Sequence, residues 1–317
     1  TDSIGDVALT LPLIGILRKK FPESIIIFLA NTYTTPVVNC AKGVDAVWSW
    51  SDIQEMEDRQ QISWLKSQNV DVFIHVFPRK AIARLAQKAK IPHRIGTSHR
   101  LFHMLTCNHW VNFTRKNSEL HEAQLNTKLL KPLGISKSYS LDSLKNAVNF
   151  SNFEKLDNIL EEKCRADKIQ LILHPKSKGS ALEWGVHQFI ELAKVLPQDK
   201  FQIFFTGTEE EAAYFRNQLP AQQNIVDLSG KLSLAQLIAF IAKSNLLVAA
   251  STGPLHLAGL CNIQTIGLFT ARRPLHPGRW KPLGKHVHII IESKESARYE
   301  LLNISVKSVA AKIMEVI

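Results

Sequence analysis

The residues Ser251-Thr252-Gly253-Pro254, with His256 just beyond, carry the densest chemistry in this chain. They lie between an apolar run of strand length, 245–250, and a helical stretch, 255–260, which leads to a second apolar run at 263–269. Proline suits the first turn of a helix, where its missing N–H is no loss. A helix opening here aims free N–H groups and the positive end of its dipole at one spot. Ser251 and Thr252 add hydroxyls, and Gly253 permits close approach. The stretch reads either as a phosphate cradle with His256 at its edge or as an ordinary capped helix after a buried strand. A second loop, HPKSKGSALEW at 174–184, offers Lys176, Ser177, Lys178 and Ser180 around Gly179. Lysine neutralises phosphate as a point charge. The two loops together are expected to hold a diphosphate without a metal. Asp6, directly after Gly5, is either a helix cap or a carboxylate available for proton transfer.

Other chemistries lose their signatures. No G-x-G occurs, which removes the dinucleotide fingerprint, and no G-x-x-x-x-G-K-[ST] occurs, which removes the P-loop. There is no D-x-D of the kind metal-dependent sugar transferases carry. Cys40, Cys107, Cys164 and Cys261 are scattered without a C-x-x-C pair, as expected of a reducing compartment and not of a structural zinc site. No apolar run approaches the length of a membrane span, and the opening residues lack the pattern of a signal peptide.

The net charge of +11 is uneven. Residues 72–118 contain no Asp or Glu, nine Lys or Arg, and five His. Such a stretch points to an anionic partner or forms a solvated basic face. It lacks the interleaved aromatics of a nucleic-acid stacking platform, and no nucleic-acid partner is expected.

These residues need a scaffold that brings loops together. Strand-like and helix-like stretches alternate through 24–134, pause in a polar linker at 141–150, and alternate again from 152 to 317. Alternation of this kind implies parallel sheets covered on both faces. The expected architecture is α/β, with two doubly wound, Rossmann-like domains at 1–150 and 151–317. The closing helix at 306–317 is expected to return to the first domain. Residues 1–6 resemble a strand-to-helix loop, so a first strand is expected to be missing ahead of them. One helix is expected from Gly5 through roughly Lys20, with Pro12 bending it or sitting in its early turns. Each polar loop named above follows a strand, as do Gly207 and Ser229-Gly230, and such loops line the ligand crevice of a doubly wound sheet. A carboxylate in one half and a diphosphate site in the other suit group transfer. Asp6 would take a proton from an acceptor hydroxyl, positive charge would stabilise the departing diphosphate, and a single displacement would invert the anomeric centre.

IGDVALTLPLIGILRKKFP at 4–22 and STGPLHLAGLCNIQTIGLF at 251–269 resemble the opening and the donor-site signature of the bacterial heptosyltransferases, glycosyltransferase family nine. The 174–184 loop, Phe205-Thr206-Gly207 with Glu209 behind it, and DLSGKLSLAQL at 227–237 are similar in the same order. The resemblance implies a GT-B fold and an inverting, metal-independent transferase that needs no cofactor. It implies an ADP-heptose donor, the inner core of lipopolysaccharide as acceptor, and Asp6 as the catalytic base. Ser177, Lys178, Gly179, Ser180, Gly207, Ser251, Thr252, Gly253, Pro254 and His256 would bind the donor, with Glu209 and Leu232 near its ribose and adenine. Two positions depart from the family pattern: Ser251 stands where many members hold Asp, and Leu182 where many hold Lys. The resemblance gives the acid-free window a role in meeting an anionic, lipid-linked saccharide. Arg79, Lys80, Arg84 and Lys88 would face that acceptor or the cytoplasmic side of the inner membrane, where a basic residue contributes about 1 kcal/mol. The protein would then be cytoplasmic and peripheral to that membrane. A nucleotide-sugar epimerase of the same fold, with Glu183 as its acid, and a family member that binds a nucleotide sugar without transfer are the alternatives.

Overall fold

The computed structural model describes residues 2–116, 118–164, 167–177, 179, 181–293 and 300–317. The chain divides into two compact units: residues 1–39 with 43–149, and residues 40–42 with 150–317. Residues 40–42 join the second unit because the Cys40 carbonyl accepts from the Ser151 N–H at 3.0 Å and Ala41 bridges Phe150.

In the first unit, β1 (Ile27–Ala30) pairs in parallel with β2 (Ala46–Ser49), and β3 (Val72–Ile74), β4 (His93–Thr97) and β5 (His109–Val111) form a separate parallel sheet. Among the described residues no strand lies between β1 and β3. A cavity of about 910 Å³ there is lined by Ile27, Phe28 and Leu29 on one side and Val72, Phe73 and Ile74 on the other, with Asp6 among its further lining residues.

The expected helix from Gly5 to Lys20 is two helices, Ile4–Ala8 and Pro12–Lys20, because Pro12 restarts the helix and Leu9 and Leu11 are buried in the turn between them. The expected linker at 141–150 is corrected as well. Leu141–Asn146 is a helix capped by Ser140, whose hydroxyl accepts from the Ser143 N–H at 3.1 Å, and Leu144 is fully buried. Gly15 abuts the end of this helix, since a Cβ there would lie 1.9 Å from the Ala147 carbonyl oxygen.

The second unit is one parallel sheet of six strands: β6 (Ile169–His174), β7 (Phe201–Phe205), β8 (Ile225–Asp227), β9 (Leu246–Ala250), β10 (Gln264–Phe269) and β11 (Val287–Ile291). Their spatial order is β8-β7-β6-β9-β10-β11. Strand order therefore reverses between β6 and β9, and a doubly wound sheet places its ligand crevice at such a reversal. β7 and β9 are buried along their whole length, which explains why they are apolar throughout except at Gln202 of β7. Trp184, Phe189, Phe205 and Phe215 fill the core on one face of this sheet. The closing helix, Val306–Val316, buries Val309 and Ile313 in the same core. Its buried face belongs to the core of the second unit.

Candidate functional site

In the first unit, Asp6 sits in the first turn of the helix Ile4–Ala8, whose N-cap is Ser3. The Ser3 hydroxyl donates to Asp6 Oδ2 at 2.5 Å. Burial holds the Asp6 carboxyl above the ordinary carboxylate range. The Ser3 hydrogen bond opposes that shift, the nearby Asp2 adds to it, and Arg115 pulls it down. Arg115 is itself fixed. It pairs with the buried Glu122 and donates to Asn126 Oδ1 at 3.1 Å and to the Val76 carbonyl at 3.0 Å. Tyr33 Oη donates to the Asp2 carbonyl at 3.0 Å, and Arg79 pairs with the Asp2 carboxylate at 3.3 Å. Asp2, Ser3, Tyr33 and Arg115 were not visible as neighbours of Asp6 in the sequence. Arg115 was counted there only as one charge in a basic window.

In the second unit, the loops after β6 and β9 flank the strand-order reversal, and the register pairs His174 with Ala249 near their ends. Helix Gly253–Leu260 starts after β9 with Thr252 as an extended N-cap and Pro254 in its first turn. The Thr252 side chain makes no capping bond, and its buried hydroxyl oxygen has no hydrogen-bond partner among the described residues. A buried hydroxyl left this way costs about 1–3 kcal/mol, and such orphans mark sites where a ligand or water supplies the bond. Pro254 and His256 are buried beneath the helix start, while Ser251 and Gly253 are half-buried. Gly259 lets the helix press on the chain at 282–284: a Cβ there would lie 2.7 Å from the Leu283 carbonyl oxygen.

The loop after β6 is clasped by Glu183. Its carboxylate accepts from Lys176 Nζ at 2.6 Å, and from the N–H and the hydroxyl of Ser177, each at 2.9 Å. Ser177 is buried, and its side chain organises the loop. Lys176 is likewise engaged, with its ammonium 4.8 Å from the Tyr214 ring centre. Gly179 is exposed with φ +77, in the left-handed region. Lys178 and Ser180 lie outside the described residues. His174 at the strand end is buried, with Nδ1 3.0 Å from the Thr206 hydroxyl, and burial lowers its pKa to about 4, so it is neutral.

Farther along the same edge, Thr208 and Glu211 cap the helix Glu209–Ala212, and the Gly207 carbonyl accepts from the Gly230 N–H at 2.9 Å. Glu209 is exposed, and both its oxygens are gripped by Arg216, at 2.5 and 2.8 Å. Arg216 also donates to Asp227 Oδ2 at 2.8 Å and to the Ser229 carbonyl at 2.9 Å. The Arg216 hydrogen bond holds the Glu209 carboxyl below its usual range. Gly230, at φ +74, is required here, because a Cβ would lie 2.1 Å from Glu209 Oε2. Leu232 is half-buried just beyond. Arg216 was missed in the sequence, where only its seven-residue distance from Glu209 hints at the pairing.

The basic residues divide. Lys80, Arg84 and Lys88 recur at four-residue intervals along the exposed face of the helix Lys80–Lys88, whereas Arg79 lies at its N-cap and turns to Asp2. Of the five histidines in the window, His75 and His103 are buried, and burial lowers the pKa of His75 to about 3. They add no charge at neutral pH. Among the described residues, no helix is long and apolar enough to cross a membrane.

The model of glycosyltransferase family 9 (heptosyltransferase) matches residues 60–304, more than half of the chain. Lipopolysaccharide heptosyltransferase 3 of Escherichia coli K12 is 22% identical, over 89% of this chain and 83% of its own. A glycosyl transferase family 9 structure from Veillonella parvula aligns with a TM-score of 0.79 at 18% identity, covering 99% of this chain and 94% of that one. Escherichia coli heptosyltransferase WaaC with ADP aligns with a TM-score of 0.75 at 16% identity, over 100% of this chain and 98% of that one. The fold is thus GT-B, with the strand-order reversal of its second unit flanked by the loops that carry the family's sequence signature. The chain belongs to glycosyltransferase family 9 and is a glycosyltransferase.

Proposed function

We propose that this glycosyltransferase moves a heptose or related sugar from an ADP-sugar to the inner core of lipopolysaccharide, by one inverting displacement that needs no metal. The observation that carries the reading is the helix start at Gly253, which opens at the strand-order reversal with the buried, unbonded Thr252 hydroxyl beside it. The helix N-terminus presents N–H groups and a positive dipole end to a diphosphate. Glu209 and Leu232 would meet the nucleoside, and the clasped loop with Gly179 would close over the phosphates. In the reaction, Asp6 takes the proton of the acceptor hydroxyl as its oxygen bonds to the anomeric carbon. The bond from that carbon to the diphosphate breaks, and the nucleotide leaves as an anion held by the helix start. The similarity to a lipopolysaccharide heptosyltransferase and to a heptosyltransferase with ADP supports the choice of donor and acceptor. Arg79, Lys80, Arg84 and Lys88 would meet the anionic acceptor or the inner-membrane surface. The epimerase reading loses its acid, because Glu183 is committed to Lys176 and Ser177.

Titration calorimetry with ADP, UDP and GDP, each with magnesium and with EDTA, tests the donor site. ADP is expected to bind best and equally in both. Asp6→Asn tests the base: turnover is expected to fall about 10²–10⁴-fold with ADP affinity unchanged. Equal turnover by variant and parent removes Asp6 from the chemistry, and preference for UDP or GDP removes the ADP-sugar.

A further inference from the structure

The helix Leu101–Thr106 is turned inside out. Its polar His103 and Thr106 are buried, with His103 wholly so, while Leu101, Met104 and Leu105 are 76%, 53% and 72% exposed. Positions i, i+3 and i+4 of a helix share a face, and here that apolar face looks away from the core. Trp110 on β5, 54% exposed, extends it. The inversion is built in. His103 packs against Gly96, where a Cβ would lie 2.6 Å from its Nδ1, and its ring nitrogen lies 3.3 Å from the Thr97 carbonyl. The element is also fixed in place. Trp110 Nε1 donates to the His103 carbonyl at 3.1 Å, and Gln87 Nε2 donates to the Leu105 carbonyl at 2.7 Å. The Gln87 bond ties the apolar face to the helix Lys80–Lys88. Exposed Arg84, Lys88, Lys90 and Arg100 therefore belong to the same region of the fold. All lie in the stretch that has no acidic residue, and Asp58, from outside it, approaches Lys88 at 3.3 Å.

A contiguous exposed apolar face on a single protein marks an interaction site. We propose that Leu101, Met104, Leu105 and Trp110 enter the boundary between headgroups and acyl chains of an anionic lipid bilayer, with Arg84, Lys88, Lys90 and Arg100 on the phosphates around them. The charge complementarity selects this occupant: a surround of four basic residues, of which Asp58 offsets Lys88 alone, favours an anionic lipid surface over an acid-bearing copy of the same chain. Leu and Met supply buried area, Trp suits the interfacial depth, and cations add the electrostatic attraction. The four basic residues of the proposed function account for attraction only. The apolar helix adds an anchor, and it stands independently of which sugar is moved.

Co-sedimentation of the full chain with phosphatidylcholine vesicles, with and without phosphatidylglycerol, tests this in the absence of any sugar nucleotide. The parent is expected to bind the anionic vesicles strongly and the neutral ones weakly. Leu101→Ser with Leu105→Ser is expected to weaken binding to anionic vesicles by about tenfold or more, while keeping the parent's turnover on a soluble acceptor. Arg84→Ser with Arg100→Ser is expected to remove the preference for anionic lipid. Brominated acyl chains in the same vesicles are expected to quench the parent more than Trp110→Phe, a readout that requires no loss-of-binding variant. Equal partitioning of the parent and the Leu variant overturns the proposal. So does a parent dimer in solution that the Leu variant converts to monomer, which would assign the face to a second copy.

Discussion

At the scale of single residues, the carboxylate of Asp6 has its pKa raised mainly by burial. A base poised closer to neutral pH transfers protons more effectively than one at the ordinary carboxylate value. The acid limb of kcat/KM is therefore expected above the ordinary carboxylate range, and a limb at or below that range removes Asp6 as its origin. The sign for stability runs the other way. A carboxyl whose folded pKa lies above its unfolded one stabilises fully below the unfolded pKa, and that contribution is lost as pH rises through the folded pKa. Asp6→Asn is thus expected to raise the thermal midpoint at neutral pH while it lowers turnover. Glu183 makes the contrasting case. Glu183→Ala leaves the Lys176 ammonium and the Ser177 N–H without their acceptor, at a cost of about 1–3 kcal/mol. The variant is expected to lose affinity for the nucleotide by loosening the loop, with the pH profile unchanged; a lost limb in that profile would restore an acid role. Asp6 stands out in the sequence through the residues around it, Gly5 before and Val7-Ala8 after. Its surroundings do not, because Tyr33 and Arg115 act on it from 27 and 109 positions away along the chain, by simple difference of the residue numbers, and Arg79 holds its neighbour Asp2.

At the scale of elements, the strands of the second unit were legible because they are buried on both faces. LLVAA and IQLILH are runs that only a covered parallel strand or a buried helix supports, and their length excludes the helix. The helix Leu101–Thr106 was not legible, since its apolar residues face outward and its buried residues are His and Thr. The helix at 141–146 was read as a linker for a similar reason: Leu144 alone among its residues is buried. The helix Gly253–Leu260 was legible from Pro254, but what seats it was not. Gly259 meets the backbone at Leu283, a contact between positions with no shared pattern. Gly259→Ala forces a methyl against that backbone, and overpacking of this kind costs about 1–3 kcal/mol. The displaced helix start is expected to weaken ADP binding along with stability. Unchanged ADP affinity in a destabilised variant would separate this helix from the donor site.

At the scale of the whole molecule, alternation of strand and helix was enough to give the fold class, and the strand-end loops marked the second unit's candidate site. The sheet of the first unit was less legible than its elements, because periodicity reports which residues form a strand and says nothing of which edge is paired. β1 pairs with β2, β3 pairs with β4, and the facing edges border the 910 Å³ cavity. An edge of this kind presents a row of N–H and C=O groups as a template for a further strand. Its signature is a clock. Amides on the cavity side of β1 and β3 are expected to exchange with deuterated solvent far sooner than those of β6 and β9, which are paired on both sides. A short apolar peptide supplied in extended form is expected to slow the first set without touching the second. Equal protection of both sets before the peptide is added would mean that the two edges close on each other in solution.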